Sequence, residues 1–279
     1  MNIKEVHRVV SAMKSTLFKK ANSHSAGILK SNFRGSGLQF KDYQVYNYGD
    51  DPRFIDWKVY AKSNRPYIKL FEEERNVEIV ILLDASPTMF SGYNGIPKIQ
   101  AAVELCSLLY LIAKDTGDYV KIVLFSNQIH DLPKSQGEKG IYMLIDLLER
   151  IGIYKENGKI NLEFDFDSKL TNDEKMNYCY RALKKKKEVI IFSDFQNFLG
   201  LNNLRKVTVS KNVHSFRIIS PLDEYSRVPY VIPMKNIVNP HNLTRGEQLS
   251  LNKEASKLFH IKDINVAERY LEDFVKKMY

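Results

Sequence analysis

The sequence predicts an α/β protein with a mostly parallel sheet and helices on both of its faces. Three observations point there. Short, nearly continuous apolar runs recur at Val77–Asp84, Tyr119–Phe125, Glu188–Phe192 and His214–Ile219, as in strands buried on both faces. Helix-length segments separate these runs, and alternating strands and helices imply parallel βαβ units. The 279 residues are 44% hydrophobic and 27% charged, a globular composition with room for one large domain, or a domain plus a small module.

Taken in order, residues 3–20 read as an amphipathic helix. Ile3, Val6, Val10, Met13 and Leu17 fall on one stripe, which suits a docking helix, a short coiled coil or plain core packing. Residues 22–38 are rich in Ser, Gly and Asn and read as a loop or hinge. A dense block from Phe40 to Asn76 follows and ends in a strand at Tyr67–Phe71. From Val77 the alternating pattern begins, so the expected division is a module over residues 1–76 and an α/β domain over 77–279. Pro97–Lys114 is apolar almost all round and reads as a deeply packed helix, with Pro97 in its first turn. Further helices are expected at Lys139–Arg150, Asn172–Lys186 and Leu201–Val209, and a final amphipathic helix at Asp263–Met278.

Several classes are disfavoured. No apolar run approaches the roughly 18 residues of a membrane helix. Lys4, Glu5 and Arg8 interrupt what would be a signal peptide's apolar stretch, so a cytoplasmic location is the expectation. Cys106 and Cys179 both fall in predicted helices, which fits buried thiols in a reducing compartment better than a disulfide framework. No Cys or His pair has zinc spacing. The net charge of +9 admits nucleic acid or an acidic surface as partner. The basic residues are spread along the chain, however, and many sit at helix ends. The densest run, Lys184–Lys187, closes a helix before a strand.

Ligands of open parallel sheets sit at the carboxyl ends of the strands. Two of the most apolar strands end there in an acid: Ile81-Leu-Leu-Asp84-Ala-Ser86-Pro-Thr88, and Ile191-Phe-Ser-Asp194. A carboxylate at the edge of a core is costly unless it is paired or metal-bound. Asp84, Ser86 and Thr88 alternate and can point one way, and with Asp194 they form an all-oxygen set suited to Mg²⁺, Mn²⁺ or Ca²⁺. Two carboxylates and neutral hydroxyls leave such an ion able to recruit an outside carboxylate. The bland alternative is that the acids cap helices and the hydroxyls make turn bonds.

The segment from Asp84 to Thr88 resembles the metal-ion-dependent adhesion site of von Willebrand A domains, Asp-x-Ser-x-Ser, with Thr88 for the last Ser. The block Tyr46-Asn-Tyr-Gly-Asp-Asp-Pro-Arg-Phe-Ile-Asp-Trp-Lys-Val-Tyr-Ala-Lys, followed by Lys69-Leu-Phe-Glu-Glu-Glu-Arg-Asn76, looks like the signature of the bacterial domain-of-unknown-function 58 family. The resemblance implies a von Willebrand A-like, Rossmann-like fold and no established enzymatic activity. It also implies a MoxR-type AAA+ ATPase as partner in assembling or activating client proteins. The adhesion-site pattern further expects a Thr on a second loop, for which Thr171 is the nearest match and Ser168 the alternative, beside an atypical acidic stretch at Glu163–Asp167.

Within the signature, Gly49, Asp50, Asp51 and Arg53 read as a turn. With Asp56 and Trp57 they suit a polar network anchoring the module, Trp57 and Tyr60 supplying large burial, or else a partner surface in which Arg and Trp are anchors. The expected function is a non-enzymatic interaction or adaptor module with a possible Mg²⁺, Mn²⁺ or Ca²⁺ site and no organic cofactor. Two alternatives remain. A metal-dependent hydrolase would need a nearby base, for which only His130 has a positional claim. A nucleic-acid binder would need aromatic-interleaved basic motifs, and none is evident.

Overall fold

The computed structural model describes residues 37–74, 78–167, 170–183, 187–196, 198–199, 201–208, 210, 212–224, 237–238 and 261–278. The helix expected at 3–20, the loop at 22–36, Ser168 and Lys184–Lys186 lie outside the described residues. Residues 37 and 38, expected in that loop, begin a strand.

The signature block is a hairpin module. Strand β1 (Gly37–Val45) runs antiparallel to β2 (Tyr67–Glu74), with a register shift between Phe40 and Asp42. Between them lie a short 3₁₀ turn at Pro52–Phe54 and the seven-residue helix α1 (Trp57–Ser63). Asp56 caps α1, accepting from the backbone N–H groups of Lys58 and Val59, as short acidic residues do at helix starts. Asn64, left-handed at φ 55°, ends it.

Among the described residues, the sheet that follows has six strands in the order β11-β9-β8-β3-β6-β7. β3 (Glu78–Asp84) is central, parallel to β6 (Tyr119–Phe125) on one side and β8 (Glu188–Ser193) on the other. β9 (Val213–Ile219) and β11 (Lys262–Asn265) extend the parallel set, and β7 (Ile129–Asp131) is antiparallel at the opposite edge. Between β3 and β6 lie the two-residue strands β4 (Gly92–Tyr93) and β5 (Ile96–Pro97). Asn94 and Gly95 join them, both at positive φ, the pairing that a tight two-residue hairpin requires. β10 (Ile237–Val238) pairs with β4.

Helices cover both faces of the sheet. α2 (Lys98–Thr116), α3 (Gly137–Arg150) and α6 (Tyr270–Met278) pack on the face that carries Ile79, Ile81 and Leu83. α4 (Asn172–Leu183) and α5 (Leu201–Thr208) pack on the face that carries Val80 and Leu82. The period-2 alternation of β3 thus feeds two cores, which is why the strand reads as one continuous apolar run. α2 is buried almost all round, as its composition predicts. It lies so close to α3 that a Cβ at Gly140 would come within 2.2 Å of the Tyr110 ring. Pro97 sits at the N-cap of α2 rather than in its first turn.

The final helix is shorter than the sequence suggests. Residues 262–265 form strand β11 instead, with Asp263 opposite Arg217 of β9 and joined to it by a bidentate ion pair at 2.7 and 2.8 Å. Ile261 packs on one face of the sheet and Ile264 on the other. Three positions apart, they lie on one stripe of a helix but on opposite sides of a strand. The apolar spacing therefore fits both periods, and the sheet edge decides for the strand.

Candidate functional site

Strand order reverses on either side of β3. The chain leaves β3 for β6, then returns across the sheet to β8, so the carboxyl ends of β3 and β8 flank a switch point, where open α/β sheets bind ligands. Asp84 ends β3 and is 1% exposed. The backbone N–H of Ser86 donates to Asp84 Oδ1 at 3.0 Å and its hydroxyl to Oδ2 at 3.1 Å. Thr88 Oγ1 lies 3.4 Å from Ser86 Oγ. The three residues singled out from the first strand's end therefore do converge.

A third hydroxyl joins them that sequence reasoning missed. Ser193 Oγ donates to Asp84 Oδ2 at 2.6 Å and accepts from the backbone N–H of Phe195 at 2.8 Å. The signal lay in register: Leu83 pairs with Phe192, so Asp84 is level with Ser193, and Asp194 lies one step beyond. In strand alternation Asp84 follows Val80 and Leu82, and Ser193 follows Val189 and Ile191, all on the α4–α5 face.

Asp194 is engaged from the other side. Its Oδ2 accepts from Lys98 Nζ at 2.8 Å, and its Oδ1 from the backbone N–H of Gln196 at 3.1 Å. Lys98 is the first residue of α2 and is wholly buried. Its ammonium also lies 3.3 Å from Asp223 Oδ2, which in turn accepts from the backbone N–H and hydroxyl of Ser220 at 2.7 and 2.9 Å. Burial works against the charged ammonium, but the two carboxylates outweigh it and raise the pKa above the ordinary lysine value. The loop between the two groups is tied at both ends. Ser91 donates to Thr88 O at 2.8 Å, and Lys98 N donates to Ser91 O at 2.9 Å.

Burial, with the charge of Asp194 second, pushes the Asp84 carboxyl up to about 6, against the opposing pull of the Ser193 hydrogen bond and of Lys175. The donor set around Asp84 — one carboxylate and three hydroxyls — has the chemistry of a hard divalent cation site. Asp194 could join it only by sharing or releasing Lys98. Among the described residues no group of three or more Asp, Glu, His or Cys converges as a metal cage would.

Thr171 is exposed at the start of α4. Its N–H and hydroxyl donate to Glu174 at 2.9 and 3.0 Å, and the Glu174 N–H returns a bond to its Oγ1 at 3.3 Å. This reciprocal pattern is a capping box. The acidic stretch beside it is anchored by its alternate residues, Phe164 and Phe166, whose rings lie 5.7 and 4.8 Å from that of Phe90. His130 lies on β7, two strands from β3.

The signature residues split into two groups. Asp56 is a hub: besides capping α1 it accepts from Tyr43 OH on β1 at 2.9 Å and pairs with Lys69 on β2 at 3.0 Å, which hold its carboxyl down at about 2. Asp51 caps the Pro52–Phe54 turn and pairs with Arg53 at 2.6 Å. Asp50 accepts from Asn47 N in the turn, which Gly49 permits at φ 112°. Trp57 departs from the expectation of large burial. It is 65% exposed and Tyr60 is 39% exposed, because no described element packs over the outer side of α1. The polar network is internal to the module, and the aromatics are not its core.

An open, mostly parallel sheet with an Asp-x-Ser-x-Thr loop at its switch point defines a von Willebrand A-like α/β protein. Within that class the chain belongs to the family described as protein of unknown function DUF58, whose model matches residues 42–258. Solved structures of similar shape include the conserved hypothetical protein BatB from Bacteroides thetaiotaomicron, at 16% identity and TM-score 0.44 over 72% of this chain and 96% of that one. An aerotolerance-related membrane protein from Bacteroides fragilis NCTC 9343 matches at 15% identity and TM-score 0.44 over the same shares. The SpRpn10 VWA domain matches at 14% identity and TM-score 0.40, over 72% of this chain and 94% of that one. No match is found among curated proteins. Among the described residues no helix is long and apolar enough to cross a membrane.

Proposed function

We propose that the chain is a non-enzymatic interaction module whose Asp84 site takes a divalent cation, Mg²⁺ foremost and Mn²⁺ or Ca²⁺ in its place, and through it a carboxylate of a protein partner. The observation that carries this reading is the convergence of Ser86, Thr88 and Ser193 on one buried carboxylate at the switch point. Lys98 already neutralises Asp194, so an ion held by Asp84 and hydroxyls keeps a surplus positive charge. A partner's Asp or Glu would complete its coordination, and no catalytic base is needed. On the family resemblance the partner would be a MoxR-type AAA+ ATPase, with this chain presenting a client or adaptor to it. Thr171 would serve as second-loop ligand only by leaving its capping box.

The test is binding of the full chain to a purified MoxR-type AAA+ ATPase, with Mg²⁺ and with chelator, for wild type and Asp84→Ala. Binding that needs both the metal and Asp84 is expected. Equal binding by both proteins under both conditions removes the cation from the mechanism.

A further inference from the structure

The exposed large apolar side chains of the described residues are concentrated in one place. Tyr43, Val45, Tyr48, Phe54, Trp57 and Tyr60 all belong to the hairpin module, against only Tyr119, Leu162 and Tyr180 elsewhere. Tyr48 is fully exposed, and the Trp57 and Tyr60 rings meet edge to face with centroids 6.0 Å apart. Among the module's residues whose burial is described, only Asp56 and Ile68 are buried. A seven-residue helix is far below the length that is stable alone in water, and among the described residues nothing covers the two outward rings. The adjoining exposed rings of Trp57 and Tyr60 form the centre of an apolar surface, and Trp and Tyr are the side chains that most often anchor an interaction site.

Charge indicates what docks there. Asp56 is neutralised by Lys69, and Asp51 by Arg53. Asp42 accepts a backbone hydrogen bond from Tyr43 within β1, and Asp50 accepts one from Asn47 in its turn. Lys58 and Lys62, four residues apart on the exposed face of α1, and Arg65 just beyond it are exposed and leave the rim basic. Trp57 and Tyr60 meet edge to face rather than presenting parallel faces on which successive bases could stack, which disfavours nucleic acid. A second copy would bring the same basic rim against itself.

We infer that the α1 face of the hairpin module, centred on Trp57 and Tyr60 and rimmed by Lys58 and Lys62, docks an acidic protein surface with an apolar centre. This surface is separate from the Asp84 site, so its test leaves that reading untouched.

Trp57 is the only tryptophan in the chain and reports on the surface directly. The probe is a random glutamate–tyrosine copolymer added to the full-length protein, with a lysine–tyrosine copolymer and poly(U) as controls. With the acidic copolymer, Trp57 emission should move to the blue and acrylamide quenching should fall, both reversed by salt. Trp57→Ala should weaken binding of the labelled copolymer about tenfold. Lys58→Glu/Lys62→Glu should abolish it without moving the urea midpoint, since these side chains bury little. Four results overturn the inference: an equal response to the basic copolymer, a response to poly(U) alone, a Trp57 already shielded or concentration-dependent in the chain alone, or no response at all.

Discussion

Asp84→Asn separates what the candidate site does for binding from what it costs the fold. The Asp84 carboxyl is raised from an ordinary 3.8 to about 6. At about 1.4 kcal/mol per unit, the ionised side chain destabilises the native state by roughly 3 kcal/mol above that value. The sign follows from proton uptake. Between pH 3.8 and about 6 the folded chain holds a proton that the unfolded chain has released, so stability falls as pH rises through that window and is level above it. Asparagine removes the titration. Its single acceptor oxygen, set in the Oδ2 position, keeps both hydroxyl bonds and loses the one from the Ser86 N–H, at about 1 kcal/mol. The variant should be more stable than wild type by about 2 kcal/mol near pH 8 and less stable near pH 4, crossing between. Urea denaturation across that range measures it. A difference that does not change with pH, or an asparagine variant that is the weaker one at pH 8, would refute the reasoning. Mg²⁺ should raise the wild-type midpoint alone, because asparagine has no charge to offer the ion.

Two further predictions concern buried groups. Lys98→Met leaves Asp194 and Asp223 buried without their cation and should destabilise the fold by about 3–5 kcal/mol; adding Asp194→Asn should restore part of this, read in a double-mutant cycle of urea midpoints. Cys106 and Cys179 lie in cores on opposite faces of the sheet, so they cannot pair, and burial pushes the Cys106 thiol far up and the Cys179 thiol up to about 12. A thiol reagent should find neither in the native protein and both in urea, and stoichiometric labelling without denaturant would contradict the packing.

What was legible in the sequence, and what was not, follows from where the controlling forces act. Tyr119–Phe125 and the other central strands are fixed by local composition, because a strand buried on both faces must be apolar throughout. The helix Asn172–Leu183 carries its own start signal in Thr171 and Glu174. Strand β11 was not legible, since its spacing suits a helix as well and only pairing with β9 decides. The Asn94-Gly95 hairpin was written in the sequence and went unread inside the loop after Asp84. At the site, Asp84, Ser86 and Thr88 were found because they alternate along one segment. Ser193 and Lys98 were not, because the first depends on the register between two strands and the second on where a helix begins. Trp57 shows the limit of composition: a tryptophan in a polar block reads as an anchor, and whether it faces inward or outward is settled only by what else packs there.

Lys98 changes the arithmetic of the site most. Read from sequence, two acids face one ion. In the structure, a wholly buried ammonium already satisfies one of them and ties it to a third acid, Asp223, across the edge of the sheet. The remaining acid is Asp84, the one whose ionisation burial makes costly. On the proposed mechanism a proton and a divalent ion would compete for a single carboxylate, and hydroxyls would add little to hold the ion. Such a site would bind a cation weakly alone and more tightly once a partner supplied the missing carboxylate. By linkage the partner then binds more tightly to the ion-loaded protein by the same factor. Metal affinity measured on the isolated chain should accordingly be poor even if the proposed mechanism is right, and it is the partner-bound affinity that tests it.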